Sequence, residues 1–117
     1  MPDSQNRSVL VQITHDGMGS ADQTLSHGLI SKWLQLTAQA DMLPDVIAFY
    51  TDGVKLVCEG SPVLGELRTM QAKGVHLVVC STCLKHFGLE DKLAVGLKGG
   101  MTDMIEAQWR ADKVITL

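Results

Sequence analysis

The sequence has no run of lysine or arginine, and its formal net charge at pH 7 is -3. Nucleic acid and anionic membranes both reward a basic face, so neither is expected as a partner. No apolar stretch approaches the roughly 20 residues that cross a bilayer. The opening, MPDSQNRS, is polar and sets no apolar segment behind a basic one, so a cytoplasmic protein without a secretory signal is expected. Cysteine is scarce, three in 117 residues, and the number is odd. In a reducing compartment that argues against a disulfide framework and leaves buried filler, metal ligands or reactive thiols. No repeat period and no low-complexity segment is visible. The length allows one domain with a sizeable core. The balance of 45% hydrophobic to 20% charged residues is that of a globular chain.

What is present alternates. SVLVQIT (Ser8–Thr14) is rich in β-branched residues and predicts a strand. HDGMGSAD follows as a loop, punctuated by Asp-Gly and Gly-Ser. Ser20 with Gln23 predicts a capping box for the next helix. That helix carries Leu25, Leu29, Trp33 and Leu36, a spacing that marks one apolar face. It ends near ADMLPD, where Pro44 forbids continuation. VIAFY (Val46–Tyr50) predicts a buried strand, and VKLVCEG beyond the TDG turn stays open between a helical turn and a strand. Ser61 and Pro62 start a second helix, with Val63, Leu67 and Met70 inward and Gly74 as its C-terminal cap. VHLVVC (Val75–Cys80) predicts a third strand, followed by a short helix from about Ser81 to His86 that stops at Gly88. LAVGLK is a weaker strand. Met101, Met104, Ile105 and Trp109 mark a last helix, and KVITL a closing strand.

This alternation, with near-continuous apolar strands, predicts a single-domain three-layer α/β/α fold. Its sheet is expected to be five-stranded and mostly parallel, with helices on both faces. Residues 8–117 form the domain and residues 1–7 a disordered tail. In such folds chemistry gathers at the carboxyl ends of the strands. That selects His15, Asp16 and Gly17 after the first strand, and Tyr50, Thr51 and Asp52 after the second. After the third come Cys80, Ser81 and Cys83, and after the fourth Lys98, Gly99 and Gly100.

The cysteine pair is the sharpest feature. Cys80 ends a strand at the start of a helix, where unpaired N–H groups and the helix dipole favour a thiolate. Cys83 lies one turn on. Packing is the competing explanation, because free cysteine is among the most buried residue types; for Cys58, in an apolar stretch, packing is preferred. A thioredoxin-type centre follows an early strand and needs a proline in a later loop. Here the pair follows the third strand, and no proline lies beyond Pro62. A structural zinc site takes four ligands, commonly from two such pairs, and only one pair exists. HDGMGSAD lacks the spacing of a P-loop, and the glycines of GLKGG read as a turn. His15 reads as a loop residue, His27 and His76 as structural or solvated, and Asp16 and Asp52 as turn formers.

FYTDGVKLVCEGS (Phe49–Ser61), GVHLVVCSTCLKHFGLEDKLAVG (Gly74–Gly96) and MTDMIEAQWRADKVITL together resemble the DsrE/DsrF-like sulfur-relay family. The resemblance is nearest to the C-terminal domain of YedF-type proteins, sulfurtransferase-like and tied to selenium metabolism. It runs from about Ser8 to Leu117. It implies a DsrE-like topology, a homo-oligomer, and a cysteine that carries persulfide sulfur to another protein. That cysteine matches Cys80, and the second cysteine of the motif matches Cys83. Gly53, Val54, Lys55 and Leu56 match the GVKL element, which lies near the cysteine loop in this fold. The chain departs from the YedF-type pattern in three places: Ser81 replaces the glycine of C-G-T-C, Thr51-Asp52 replaces Asn-Ser or similar, and Gly100 stands where asparagine is usual. A TusA-like domain with its Cys-Pro motif is not in this chain, so a partner in trans is expected.

The expected site is therefore Cys80 as the primary nucleophile or persulfide carrier and Cys83 as the resolving or second thiol. Gly17, Gly53, Lys55, Ser81 and Thr82 are the expected substrate-binding positions. No cofactor and no metal are expected. The expected partner is a TusA-like carrier or a cysteine desulfurase, with sulfur or selenium as cargo. Two other readings stay open: a small-molecule or anion binding module with structural cysteines, and a thiol redox or metal regulator.

Overall fold

The computed structural model describes residues 7–117. The expected tail at residues 1–7 lies, but for Arg7, outside them. The elements run β1 (Val9–Ile13), α1 (Gln23–Gln39), β2 (Val46–Phe49), a 3₁₀ helix (Thr51–Val57) and α2 (Leu64–Ala72). They continue with β3 (His76–Cys80), α3 (Ser81–His86), a short 3₁₀ turn (Glu90–Lys92), β4 (Leu97–Gly99), α4 (Met101–Arg110) and β5 (Lys113–Thr116). The strands form one sheet in the order β4-β3-β2-β1-β5, and every neighbouring pair is parallel. The fold is thus the α/β sheet with flanking helices that the sequence predicts, with all rather than most of its strands parallel.

The register sorts side chains onto two faces. Val11, Ile13, Ile47, Phe49, Leu77 and Val79 share one face and are buried with Ile30 and Leu34 of α1 and Leu67 and Met70 of α2. α1 and α2 also meet through Ser31, whose hydroxyl donates to Glu66 at 2.6 Å. The other face carries Leu10, Gln12, Ala48 and Val78, and α4 crosses it. There Gln108 of α4 donates to the Gln12 side chain at 2.6 Å, and Met104 is the helix's buried residue. This face is thinly covered: Val46 and Val78 are half-buried, His76 is exposed, and a groove of about 450 Å³ runs under α4.

The structure corrects the sequence expectations at both ends and on the faces of the helices. Asp22, not the Ser20–Gln23 box, caps α1: its carboxylate accepts from the Leu25 N–H at 3.0 Å. The leucine stripe of α1 does not face the sheet. The buried residues of α1 are Ser26, Ile30, Leu34 and Ala38, while Leu25, Leu29 and Leu36 are exposed and Trp33 is half-buried. α4 behaves likewise, with Met104 inward and Met101, Ile105 and Trp109 outward; Trp109 is 85% exposed. The open segment after the TDG turn resolves as the 3₁₀ helix. α2 begins at Leu64 rather than at Pro62, although Ser61 still accepts from the Val63 N–H at 3.2 Å.

Candidate functional site

Three strand ends converge on the cysteine pair. β3 ends at Cys80, which caps α3, and one helical turn brings Cys83 round to the same side. The two Sγ atoms stand 3.0 Å apart as free thiols, with the Cys83 S–H donating to Cys80. The Cys83 N–H approaches the same Cys80 sulfur at 3.4 Å. From the end of β2, the Thr51 N–H donates to Cys83 Sγ at 3.1 Å. The Thr51 hydroxyl reaches the end of β1, 2.6 Å from the Thr14 carbonyl. Cys80 is 4% exposed and Cys83 is half-buried, so Cys83 is the outer member.

Burial pushes the Cys83 thiol above its ordinary pKa. The hydrogen bond with Cys80 adds to the rise, and the Thr51 N–H pulls against it. Cys58 is raised by burial first and then by the Glu59 carboxylate. Its thiol donates to the Val54 carbonyl at 3.2 Å, the packing role expected for it. A thiol raised on folding holds its proton more tightly in the folded chain than in the unfolded one. The stability this contributes is complete below the ordinary thiol value, about 8.5, and is lost as pH rises through the folded values. The melting temperature of the reduced protein is therefore expected to fall as pH climbs past that range. The combined Cys58→Ala and Cys83→Ser variant should show a shallower fall. Equal slopes for parent and variant in a calorimetric pH series would refute this assignment.

The other expected site residues have specific surroundings. Lys55 pairs with Asp52 at 2.8 Å and lies 4.5 Å over the Phe87 ring, next to α3. Gly53 is buried, and a Cβ there would collide with the Ile13 carbonyl, so the glycine lets the 3₁₀ helix lie on the end of β1. Gly17 has φ 139°, and a Cβ there would stand 2.6 Å from that of Ser26. Both glycines position backbone. Ser81 and Thr82 occupy the first turn of α3, half-buried and exposed respectively. At the start of α1, a cavity of about 200 Å³ is lined by His15, Asp16, Ser20, Gln23, Ser26 and Asp52, and neither thiol lines it. Its two carboxylates weigh against an anion as occupant. Asp16 also holds His27, at 3.1 Å, so that histidine is tied to the β1 loop. Among the described residues, no group of three or more His, Cys, Asp or Glu side chains is placed to hold a metal ion, and no helix is long and apolar enough to cross a membrane.

Sequence reasoning named Thr51 among the strand ends but did not select it. Its contact to sulfur is made by the backbone, which side-chain chemistry does not announce.

A sequence profile described as the DsrE/DsrF-like family matches residues 8–117. No curated protein matches the sequence. Solved structures share the fold. The ychN protein of E. coli is 21% identical, with a TM-score of 0.71, over 95% of this chain and 99% of that one. A protein of unknown function from Methanobacterium thermoautotrophicum is 23% identical, with a TM-score of 0.69 and the same coverage. Another, from Bacteroides thetaiotaomicron, is 15% identical, with a TM-score of 0.67 over 97% of each chain.

Proposed function

The chain belongs to the DsrE/DsrF-like family, and from that premise we propose that it is a sulfur-carrier or sulfurtransferase-like protein that holds persulfide sulfur on the Cys80–Cys83 pair. One observation carries this reading: two reduced thiols 3.0 Å apart at the carboxyl end of β3, one buried and one open to a partner. The thiolate is the sulfur nucleophile. Attack on the outer sulfur of a donor persulfide breaks the donor's sulfur–sulfur bond and releases the donor as a thiolate. A persulfide then stands on the pair. The second thiol is close enough to take up that outer sulfur in turn, with no external oxidant or reductant. The C-S-T-C motif and GVKL element support the finer YedF-type reading, with a TusA-like carrier or a cysteine desulfurase as partner and selenium as an alternative cargo.

The test is the intact mass of the protein after incubation with a cysteine desulfurase and cysteine, followed by peptide mapping. The expected result is a gain of one sulfur atom within residues 80–85, reversed by a reductant. An unchanged mass, with both native thiols resistant to alkylation, would sink the proposal and leave the cysteines as packing.

A second copy of the chain is the proposed cover for α4. Met101, Ile105 and Trp109 repeat every four residues along its outer face, beside the groove over the sheet, and exposed apolar patches of this kind mark interfaces. Light scattering should find an oligomer for the parent and a smaller species for Trp109→Glu. A monomeric parent at high micromolar concentration would overturn it.

A further inference from the structure

Among the described residues, two non-glycine residues have positive φ, Asp41 and Thr51. Aspartate tolerates the left-handed region; a β-branched threonine there is an outlier. Such strain persists only where the surroundings impose it, and it gathers at working sites. At Thr51, with φ 51°, the surroundings can be named. The hydroxyl stands 2.6 Å from the Thr14 carbonyl and 2.7 Å from the Tyr50 carbonyl, its one proton shared between them. The Tyr50 N–H is tied to the Ile13 carbonyl at 3.2 Å, and the Gly53 N–H to the Tyr50 carbonyl at 3.1 Å. The peptide between Tyr50 and Thr51 is thus fixed on both sides, and its N–H is aimed at Cys83 Sγ.

We propose that the Thr51 N–H is the donor that stabilises negative charge on the Cys83 sulfur, that the Thr51 hydroxyl positions it, and that Cys83 is the thiol that exchanges sulfur with a partner. This rests on the sulfur-relay reading above. It reverses the order expected from the sequence: Cys80 becomes the second thiol, behind Cys83.

The chemistry places charge on Cys83 Sγ twice. On loading, Cys83 gives up its proton and its thiolate attacks the outer sulfur of the donor. The new bond is Cys83 Sγ to sulfur; the bond that breaks is the donor's own; the proton ends on the departing donor thiolate. On unloading, an acceptor thiolate attacks the outer sulfur and Cys83 leaves as the thiolate. A fixed donor at that sulfur assists both steps, because it is already in place where charge develops. Cys80 has no such access: its sulfur is buried and faces Cys83. The Thr51 N–H also pulls against the rise that burial imposes on Cys83.

The test is the rate of iodoacetamide alkylation at Cys83 across pH, read by peptide mapping on the full chain. Thr51→Gly removes both the hydroxyl latch and the strain. With the N–H no longer aimed at the sulfur, the Cys83 pKa should rise further and alkylation near neutral pH should slow about tenfold. Thr51→Ser keeps the latch and should keep the parent's pH profile. Replacing Thr51 with its α-hydroxy acid analogue turns the amide into an ester, removes only the N–H, and should reproduce the glycine result. An unchanged profile in the ester protein overturns the proposal, as does a loss in Thr51→Ser equal to that in Thr51→Gly. A merely structural threonine would change the melting temperature and leave the profile where it is. The single variants give the order of the thiols: Cys80→Ser should still acquire sulfur from a desulfurase, and Cys83→Ser should not. The opposite result restores Cys80 as the leading thiol. Alkylation does not require sulfur uptake, so a Thr51-dependent profile without any uptake would fail the relay and keep the donor assignment.

Discussion

Replacing both members of the pair, Cys80→Ser with Cys83→Ser, should abolish sulfur uptake from a cysteine desulfurase, and Cys58→Ser should leave it at the parent's level. The difference lies in chemistry, since the fold should survive all three changes. A serine hydroxyl stays protonated at neutral pH and forms no persulfide. At position 80 the side chain caps α3, accepting from the Cys83 N–H. Serine is among the best residues for that place, so the helix keeps its cap. At position 58 the thiol donates to the Val54 carbonyl, and a hydroxyl can make the same bond. Each buried exchange costs about 1–3 kcal/mol at most, less where that bond is kept. A domain of this size tolerates one such loss, and circular dichroism would confirm it. Uptake in the double variant equal to the parent's would move the sulfur site to Cys58 or remove it altogether. Uptake lost in Cys58→Ser as well would point to disturbed folding.

The order of elements was legible because the strands are short apolar runs set between turn residues. Most residues of β1, β2 and β3 are buried, and their Val, Ile, Leu and Phe leave no other reading. The helices were legible as helices and not as orientations. α1 carries two apolar stripes, Leu25-Leu29-Leu36 and Ile30-Leu34-Ala38, and period alone does not say which one meets the sheet. The less hydrophobic one does, because Ser26 is at home there: its hydroxyl bonds the Asp22 carbonyl at 3.0 Å, and its backbone carries the tight contact with Gly17. The cap of α1 failed for a similar reason. Ser20 and Asp22 both lie at acceptable distances from a helix start, and the chain path through Gly17 and Gly19 decides between them. The thiol pair was legible from its spacing and from its place after an apolar strand. The conformation of Thr51 was not. It follows from hydrogen bonds to Thr14 and Tyr50 made only once β1 and β2 lie side by side.

Gly53→Ala should destabilise the protein by about 2–3 kcal/mol, or about 10 °C in melting temperature, and should blunt the reactivity of Cys83. The added carbon meets backbone. It would strike the Ile13 carbonyl oxygen, lie 2.7 Å from the Ile13 carbonyl carbon and 3.3 Å from the Thr14 nitrogen. No rotamer change relieves that. β1 is held between β2 and β5, so the 3₁₀ helix is the part that moves. The Gly53 N–H is bonded to the Tyr50 carbonyl, and Thr51 lies between them. A shift of the 3₁₀ helix away from β1 therefore draws the Thr51 N–H off the Cys83 sulfur. Two other glycines give the control. Gly28 in α1 and Gly65 in α2 are exposed, and a Cβ at either meets nothing within 4 Å. Alanine there should raise stability by about 0.5–1 kcal/mol, because glycine in a helix loses more backbone entropy on folding. One chemical change thus has opposite signs, set by whether a strand end lies behind the glycine. Denaturant titration of the three variants decides it: a stable Gly53→Ala protein with parental alkylation at Cys83 would mean that the end of β1 yields and that the thiols are held without it.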